Sequence, residues 1–180
     1  MKENKLSKDK IIVLDTDTID DSKSSLYPYE PTLNDLDMSV EQFSVFEYLR
    51  QKDKGKIITQ PDFQRNLVWK EKSKSKFIES ILLNFPIPFI YLNEIIEKKG
   101  TTAESKYMII DGLQRTSTLE SFYKNKFVLS DLDAIPQYNG SKFDTLPEIL
   151  KTKFEDKKLN IFILKPSTPM EVVYDLFNRI

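Results

Sequence analysis

In 180 residues the chain has neither cysteine nor histidine. Without cysteine there is no disulfide framework, no thiolate nucleophile and no thiolate zinc site. Without histidine, the commonest general base and the commonest metal ligand are both missing. Serine–histidine triads, zinc hydrolases and histidine-dependent nucleases are therefore excluded within this chain. Any catalysis must run on carboxylates, Arg, Lys, Gln, hydroxyls and hard, oxygen-bound metal ions. Excess charge is missing too: the formal net charge is −1, so the whole is no polycation built to coat nucleic acid, although a local basic face is allowed. No stretch approaches the roughly 18 apolar residues needed to span a bilayer. The opening MKENKLSKDK lacks an apolar h-region, so no signal peptide is expected and a soluble, cytoplasmic protein is the default.

What remains is ordinary globular material, 39% hydrophobic and 31% charged, consistent with one domain. Residues 1–34 read as a polar arm, partly disordered, and 35–180 as the domain. The acidic cluster DTDTIDDSKSS in that arm lacks the Gly and Glu that an EF-hand loop needs, so it reads as a solvated linker. Ser39-Val-Glu-Gln42 has the form of a capping box and predicts a first helix over about 40–51. KIIT (56–59) is a short strand candidate, and QPDFQRNLVWK an extended, proline-bent segment. A second helix is expected over about 73–84, its apolar stripe formed by Phe77, Ile78, Ile81, Leu82 and Phe85, with Pro86 and Pro88 stopping it. PFIYLNEII (88–96) and KYMIID (106–111) are strands, KFVLS (126–130) is a further strand candidate, and LNIFIL (159–164) a strong one. Thr145-Leu-Pro-Glu148 opens a helix. Thr168-Pro-Met-Glu171 is a capping box for a last helix that stops in mid-period, as in a truncated domain or one domain of a longer protein.

The tightest strand-to-helix corner, MIIDGLQRTSTLESF (108–122), carries most of the polar chemistry. A helix N-terminus offers unpaired N–H groups and partial positive charge to phosphate. Gly112 allows close backbone approach, Arg115 can grip an anion, Thr116, Ser117 and Thr118 add donors, and Asp111 can hold magnesium or a water. The plain alternative is a capped helix, with Ser117 and Glu120 as its capping box. The corner is no Walker A loop, because G-x-x-x-x-G-K-[ST] is absent. A second Gln-Arg pair, Gln64 and Arg65, lies in PDFQRNLVW. From Arg65 to Lys76 the basic residues Arg65, Lys70, Lys72, Lys74 and Lys76 face one acid, Glu71. That run can track a phosphate backbone or simply be a solvated helix face. Phe63 and Trp69 read either as stacking surfaces or as core.

PDFQRNLVW, FIESILLNFPIPFIYL and MIIDGLQRTSTLESF, in this order and spacing, resemble the N-terminal domain of GmrSD-type, modification-dependent restriction systems, whose hallmark is Asp-Gly-Gln-Gln-Arg. Asp111, Gly112, Gln114 and Arg115 match the hallmark; Leu113 stands where the family usually has Gln. VVYDLFNRI resembles the start of the family's later Phe-x-Arg-Ile-Asn segment. The resemblance implies a ParB/sulfiredoxin-like α/β (α+β) fold, a small mixed sheet flanked by helices. Sulfiredoxin chemistry itself is out, since it needs a cysteine.

Several functional expectations follow from the resemblance. The domain is expected to bind a nucleoside triphosphate with magnesium and to hydrolyse it, as a regulatory part of a bacterial DNA restriction and anti-phage defence protein. Asp111, Gln114 and Arg115 would be catalytic, with Asp111 also the metal ligand. Gln64, Arg65, Gly112, Thr116, Ser117 and Thr118 would contact the nucleotide, and Lys70, Lys72, Lys74 and Lys76 the DNA. The expected partners are DNA, modified or not, and a C-terminal or separate nuclease domain; an oligomer is allowed, a membrane is not. The competing reading is a non-catalytic module that senses DNA or a modified base and signals to a nuclease.

Overall fold

The alternation in LNIFIL decides which way its strand faces. In the computed structural model, which describes residues 37–59, 69–99 and 101–179, Leu159, Ile161 and Ile163 are buried in the main core while Asn160 and Phe162 are half-buried on the other face. Counting in chain order, the strands are β1 (Met38–Ser44), β2 (Ile57–Ile58), β3 (Ile90–Lys99), β4 (Thr102–Asp111) and β5 (Lys158–Leu164). They form one mixed sheet of order β1-β5-β3-β4-β2. The β1/β5 and β3/β4 pairs run antiparallel, and β5/β3 and β2/β4 parallel. The helices are α1 (Val45–Asp53), α2 (Glu71–Leu82), α3 (Leu113–Tyr123), α4 (Glu148–Asp156) and α5 (Met170–Arg179). This is the expected α+β class, with Tyr107–Ile110 and Ile161–Leu164 in one sheet as the βα pattern predicts.

The sheet divides the apolar residues between two cores. One face meets α1 to α4 around Tyr48, Ile78, Ile81, Leu119, Phe122 and Phe154. Phe122 sits at the centre of an aromatic cluster, with ring centroids 5.5 Å from Phe127 and 5.6 Å from Phe154. Truncating a residue so placed costs about 3–5 kcal/mol. The opposite face carries a smaller core of Ile110, Leu164 and Val173, joined by Tyr91 and Leu176, where α5 packs.

Three local expectations are overturned. The first helix does not begin near Ser39: residues 38–44 are β1, zipped to β5 from Met38↔Leu164 to Ser44↔Lys158. The helix starts at Val45, where Ser44 accepts from the Glu47 N–H at 3.1 Å. Two Ser-x-x-(Glu/Gln) patterns overlap here, and strand pairing selects the second. KFVLS forms no strand either. The backbone of Leu129 exchanges hydrogen bonds with Gly140 and Ser141 in a loop, and Phe127 and Leu129 reach the core from there. Finally, Thr168 does not cap α5: the helix begins at Met170, and Pro169 holds the cap position with its carbonyl accepting from the amides of Val172 and Val173, while the Thr168 hydroxyl donates to the carbonyl of Asp37.

Helix α2 ends before its prolines. Asn84 takes the left-handed conformation (φ 60°), and the amides of Asn84 and Phe85 return to the carbonyls of Ile81 and Ser80. This is a Schellman stop with Asn in the glycine position.

Candidate functional site

The corner is built by a slip in register. Leu92 pairs with Ile109, yet the next pair on β3 is Tyr91 with Asp111, so Ile110 and Asp111 together lie opposite Tyr91. Such bulges re-aim a side chain at the end of a strand. Gly112 follows with φ 98°, in the left-handed region. A Cβ there would lie 3.0 Å from Cγ1 of Ile90, so both the turn and its packing on β3 require glycine. Helix α3 begins at once, with no side-chain cap. Its first turn leaves N–H groups with no intrahelical acceptor. The expected capping box is absent: Ser117 lies inside the helix and donates to the Gln114 carbonyl, while Glu120 holds Lys52 and Lys124.

Arg115 is 9% exposed and closely held. Its Nη1 donates to the carbonyls of Pro88 at 2.7 Å and Phe89 at 2.9 Å, and its Nη2 to Oδ2 of Asp111 at 2.5 Å. A guanidinium accepts nothing, so these bonds fix the loop entering β3 and the carboxylate of Asp111 from one point. Arg115 thus works as the keystone of the corner, not as an open fork. Gln114 accepts from the Trp69 N–H at 3.1 Å, and its Nε2 makes no hydrogen bond to a described residue. The same bond brings the last residue of PDFQRNLVW to the hallmark motif.

The hydroxyls divide differently from expectation. Thr116 and Thr118 are fully buried. The Thr116 hydroxyl pairs with that of Tyr48 at 2.9 Å, and Thr118 donates to the Gln114 carbonyl at 2.7 Å. Burial pushes the Tyr48 hydroxyl well above its usual pKa, more than the Thr116 hydrogen bond lowers it. The geometry therefore gathers Asp111, Gly112, Gln114 and Arg115, with Trp69 as an addition, and turns Thr116 and Thr118 inward. Leu113, half-buried, packs against the main core. Gln64, Arg65 and Phe63 lie outside the described residues.

Among the described residues no group of three carboxylates could hold a metal ion alone. Asp111 is the one acid at the corner, and its Oδ1 makes no hydrogen bond to a described residue. That fits magnesium carried in on phosphate, the usual arrangement with one or two carboxylates, and not a protein cage.

The four lysines separate on α2. Steps of two residues turn a helix by about 200°, so they cannot form one stripe. Lys70 and Lys72 are exposed. Lys74 lies 5.9 Å from the centre of the Phe127 ring. Lys76 is ion-paired to Glu79 and Asp133. Trp69 packs edge-on against Phe77, with centroids 5.5 Å apart, in the core-packing role.

Sequence reasoning missed Phe89, Tyr91 and Phe162. Phe89 and Phe162 lie 4.5 Å apart, and Tyr91 stacks on Phe162 at 5.2 Å. PFIYL and LNIFIL each read correctly as strands, but only their parallel register, Tyr91↔Phe162, brings the rings together. Away from the corner, an open cavity of about 600 Å³ between the end of α2 and α4 is lined by Asn84, Ile149, Lys153 and Lys157 among others. It shares no residue with the hallmark.

The family model that matches is described as GmrSD restriction endonuclease, N-terminal domain, and it covers residues 45–180. The chain belongs to this family. No curated protein and no solved structure matches it. The GmrSD N-terminal domain match runs from α1 through the corner to α5 and leaves out β1. The family places the chain in a restriction and defence context, in which DNA is targeted and a nuclease domain is the partner. No helix among the described residues is long and apolar enough to cross a membrane.

Proposed function

We propose that this GmrSD N-terminal domain binds a nucleoside triphosphate with magnesium at the Asp111–Arg115 corner, hydrolyses it, and thereby gates DNA cleavage by its nuclease partner. The observation that carries this reading is the meeting of the Asp111, Gln114 and Arg115 side chains with Gly112 at the uncapped start of α3, on a bulged strand end. Phosphate oxygens would settle on the first-turn N–H groups of α3, where the helix dipole favours negative charge. Gln114 would orient a phosphate oxygen or the attacking water through its Nε2 donors. Arg115 would contribute fixed positive charge from beneath the turn and hold Asp111 in place. Asp111 would hold the metal through Oδ1; bound magnesium supplies neutralisation of the charge on the phosphate oxygens. The family resemblance would put Gln64 and Arg65 in contact with the same nucleotide.

Thr116 and Thr118 drop out of the contact set, since their hydroxyls are spent internally. Ser117 is half-buried and one turn further in. The test is release of inorganic phosphate from each of the four nucleoside triphosphates, with magnesium and with chelator. Magnesium-dependent release is expected, and Asp111→Asn should remove it while the fold, followed by circular dichroism, persists. Absence of release from every nucleotide would leave a binding or sensing module in place of an enzyme.

A further inference from the structure

Phe89, Tyr91 and Phe162 form a continuous aromatic strip on the sheet face opposite the main core. The Phe89–Phe162 centroids are 4.5 Å apart, and Tyr91 lies nearly parallel to Phe162, at 21°. The strip follows one row across the sheet: Val40 pairs with Phe162, Phe162 with Tyr91, and Tyr91 with Asp111. Its outer end is open. Phe89 is 37% exposed and Val40 57%, while Phe162 and Tyr91 are half-buried. On the inner side, Tyr91 joins the small core against which Val173 and Leu176 of α5 pack. The three rings are therefore stacked on one another across the two strands, closed on the Tyr91 side by α5 and open at Phe89.

Two features tie the strip to the corner. Asp111 ends the same row, two strand spacings from Phe162, so about 10 Å away at about 4.8 Å per spacing. In addition, the carbonyl of Phe89 is held by Arg115 at 2.9 Å, so one guanidinium fixes both the phosphate corner and the edge of the strip. An exposed ring at the end of such a stack is a stacking surface for a flat heterocycle, because every base has a π-face.

We propose that this strip is the base subsite of the nucleotide whose phosphates occupy the start of α3. The proposal rests on the reading of the corner as a nucleotide site. The base stacks on the open ring of Phe89, whose carbonyl Arg115 holds, and the ribose and phosphates lead round the strand ends to Asp111 and the start of α3. Stacking does not read hydrogen-bonding edges, so discrimination between bases is weak and purines, with the larger ring system, bind better than pyrimidines.

The test compares a purine nucleoside triphosphate with inorganic tripolyphosphate, both with magnesium, by calorimetric titration of the whole chain. The parent should bind the nucleotide more tightly than tripolyphosphate. Phe89→Ala should weaken nucleotide binding roughly 5- to 150-fold, the range of one base–aromatic stack, and leave tripolyphosphate binding unchanged. Phe89→Leu keeps apolar volume at the entry of β3 and serves if the alanine variant does not fold; it should show the same selective loss. Equal nucleotide affinity in the parent and Phe89→Leu would overturn the base subsite and leave the phosphate corner standing. Equal weakening of both ligands would overturn it too, as general damage to the corner. If the parent binds neither ligand, the corner reading falls and the base subsite with it.

Discussion

Asp111 and Arg115 close a 2.5 Å ion pair across the first turn of α3, and the same guanidinium anchors the carbonyls of Pro88 and Phe89. The pair makes the hallmark motif an architectural device before it is a chemical one. It joins the end of β4, the start of α3 and the entry of β3.

Arg115→Ala should therefore be felt first in stability. Each hydrogen bond to a charged group is worth about 1.5–3 kcal/mol. Asp111 is partly solvated, so the loss should sit near the lower end of what several such bonds suggest. Arg115→Lys should recover only part, since an ammonium cannot span two carbonyls and a carboxylate as a planar fork does. Chemical denaturation checks this. A variant as stable as the parent would show that the guanidinium contributes little to the corner.

Glu79 offers a prediction in pH. It is 5% exposed and accepts from the amides of Ala134 and Ile135 and from Lys76. Burial works to raise its pKa, but these hydrogen bonds and the Lys76 charge outweigh it, so the carboxyl lies below its ordinary 4.5. A depressed folded pKa means stability that is present above the unfolded value and is lost as pH falls through the folded one. Glu79→Ala should cost about 1–3 kcal/mol at neutral pH, because it leaves two buried amides unpaired. Glu79→Gln should cost less. In denaturation midpoints, the gap between the parent and Glu79→Gln should narrow as the medium is acidified below the folded pKa. A gap that widened instead would contradict the assignment.

The lysine run now makes two opposite predictions. Lys76→Glu should destabilise the fold, because it sets a third negative charge beside Glu79 and Asp133. Lys70→Glu with Lys72→Glu should leave stability nearly unchanged. If these two exposed lysines touch DNA phosphates, the double variant should lower the salt slope of DNA binding by about 1.8, at about 0.9 per phosphate. An unchanged slope would leave them as solvated ends of α2.

The parts of this fold legible in the sequence are those where a local pattern has one solution. LNIFIL can bury only one face as a strand. Phe77, Ile78, Ile81 and Leu82 lie on one side of a helix. Asp111-Gly112 can hardly be anything but a corner. β1 was not legible, because Ser39-x-x-Gln and Ser44-x-x-Glu are both helix starts and only pairing with β5 chooses between them. The aromatic strip was hidden for the same reason, since Tyr91 and Phe162 meet across 71 residues of chain through a parallel register. The inward turn of Thr116 and Thr118 was hidden as well. It depends on Tyr48, from a distant helix, lying beneath the first turn of α3.

The most direct test of the account is calorimetric titration of the chain with the four nucleoside triphosphates, each with and without magnesium. Trp69, the single tryptophan, reports in parallel, because its amide is bonded to Gln114. Saturable, magnesium-enhanced heat is expected for at least one triphosphate, with a matching change in tryptophan fluorescence. Asp111→Asn should remove the magnesium enhancement while the protein stays folded. No heat and no fluorescence change with any triphosphate, from folded parent protein, would contradict it and leave the corner as a strand-to-helix turn held by Arg115.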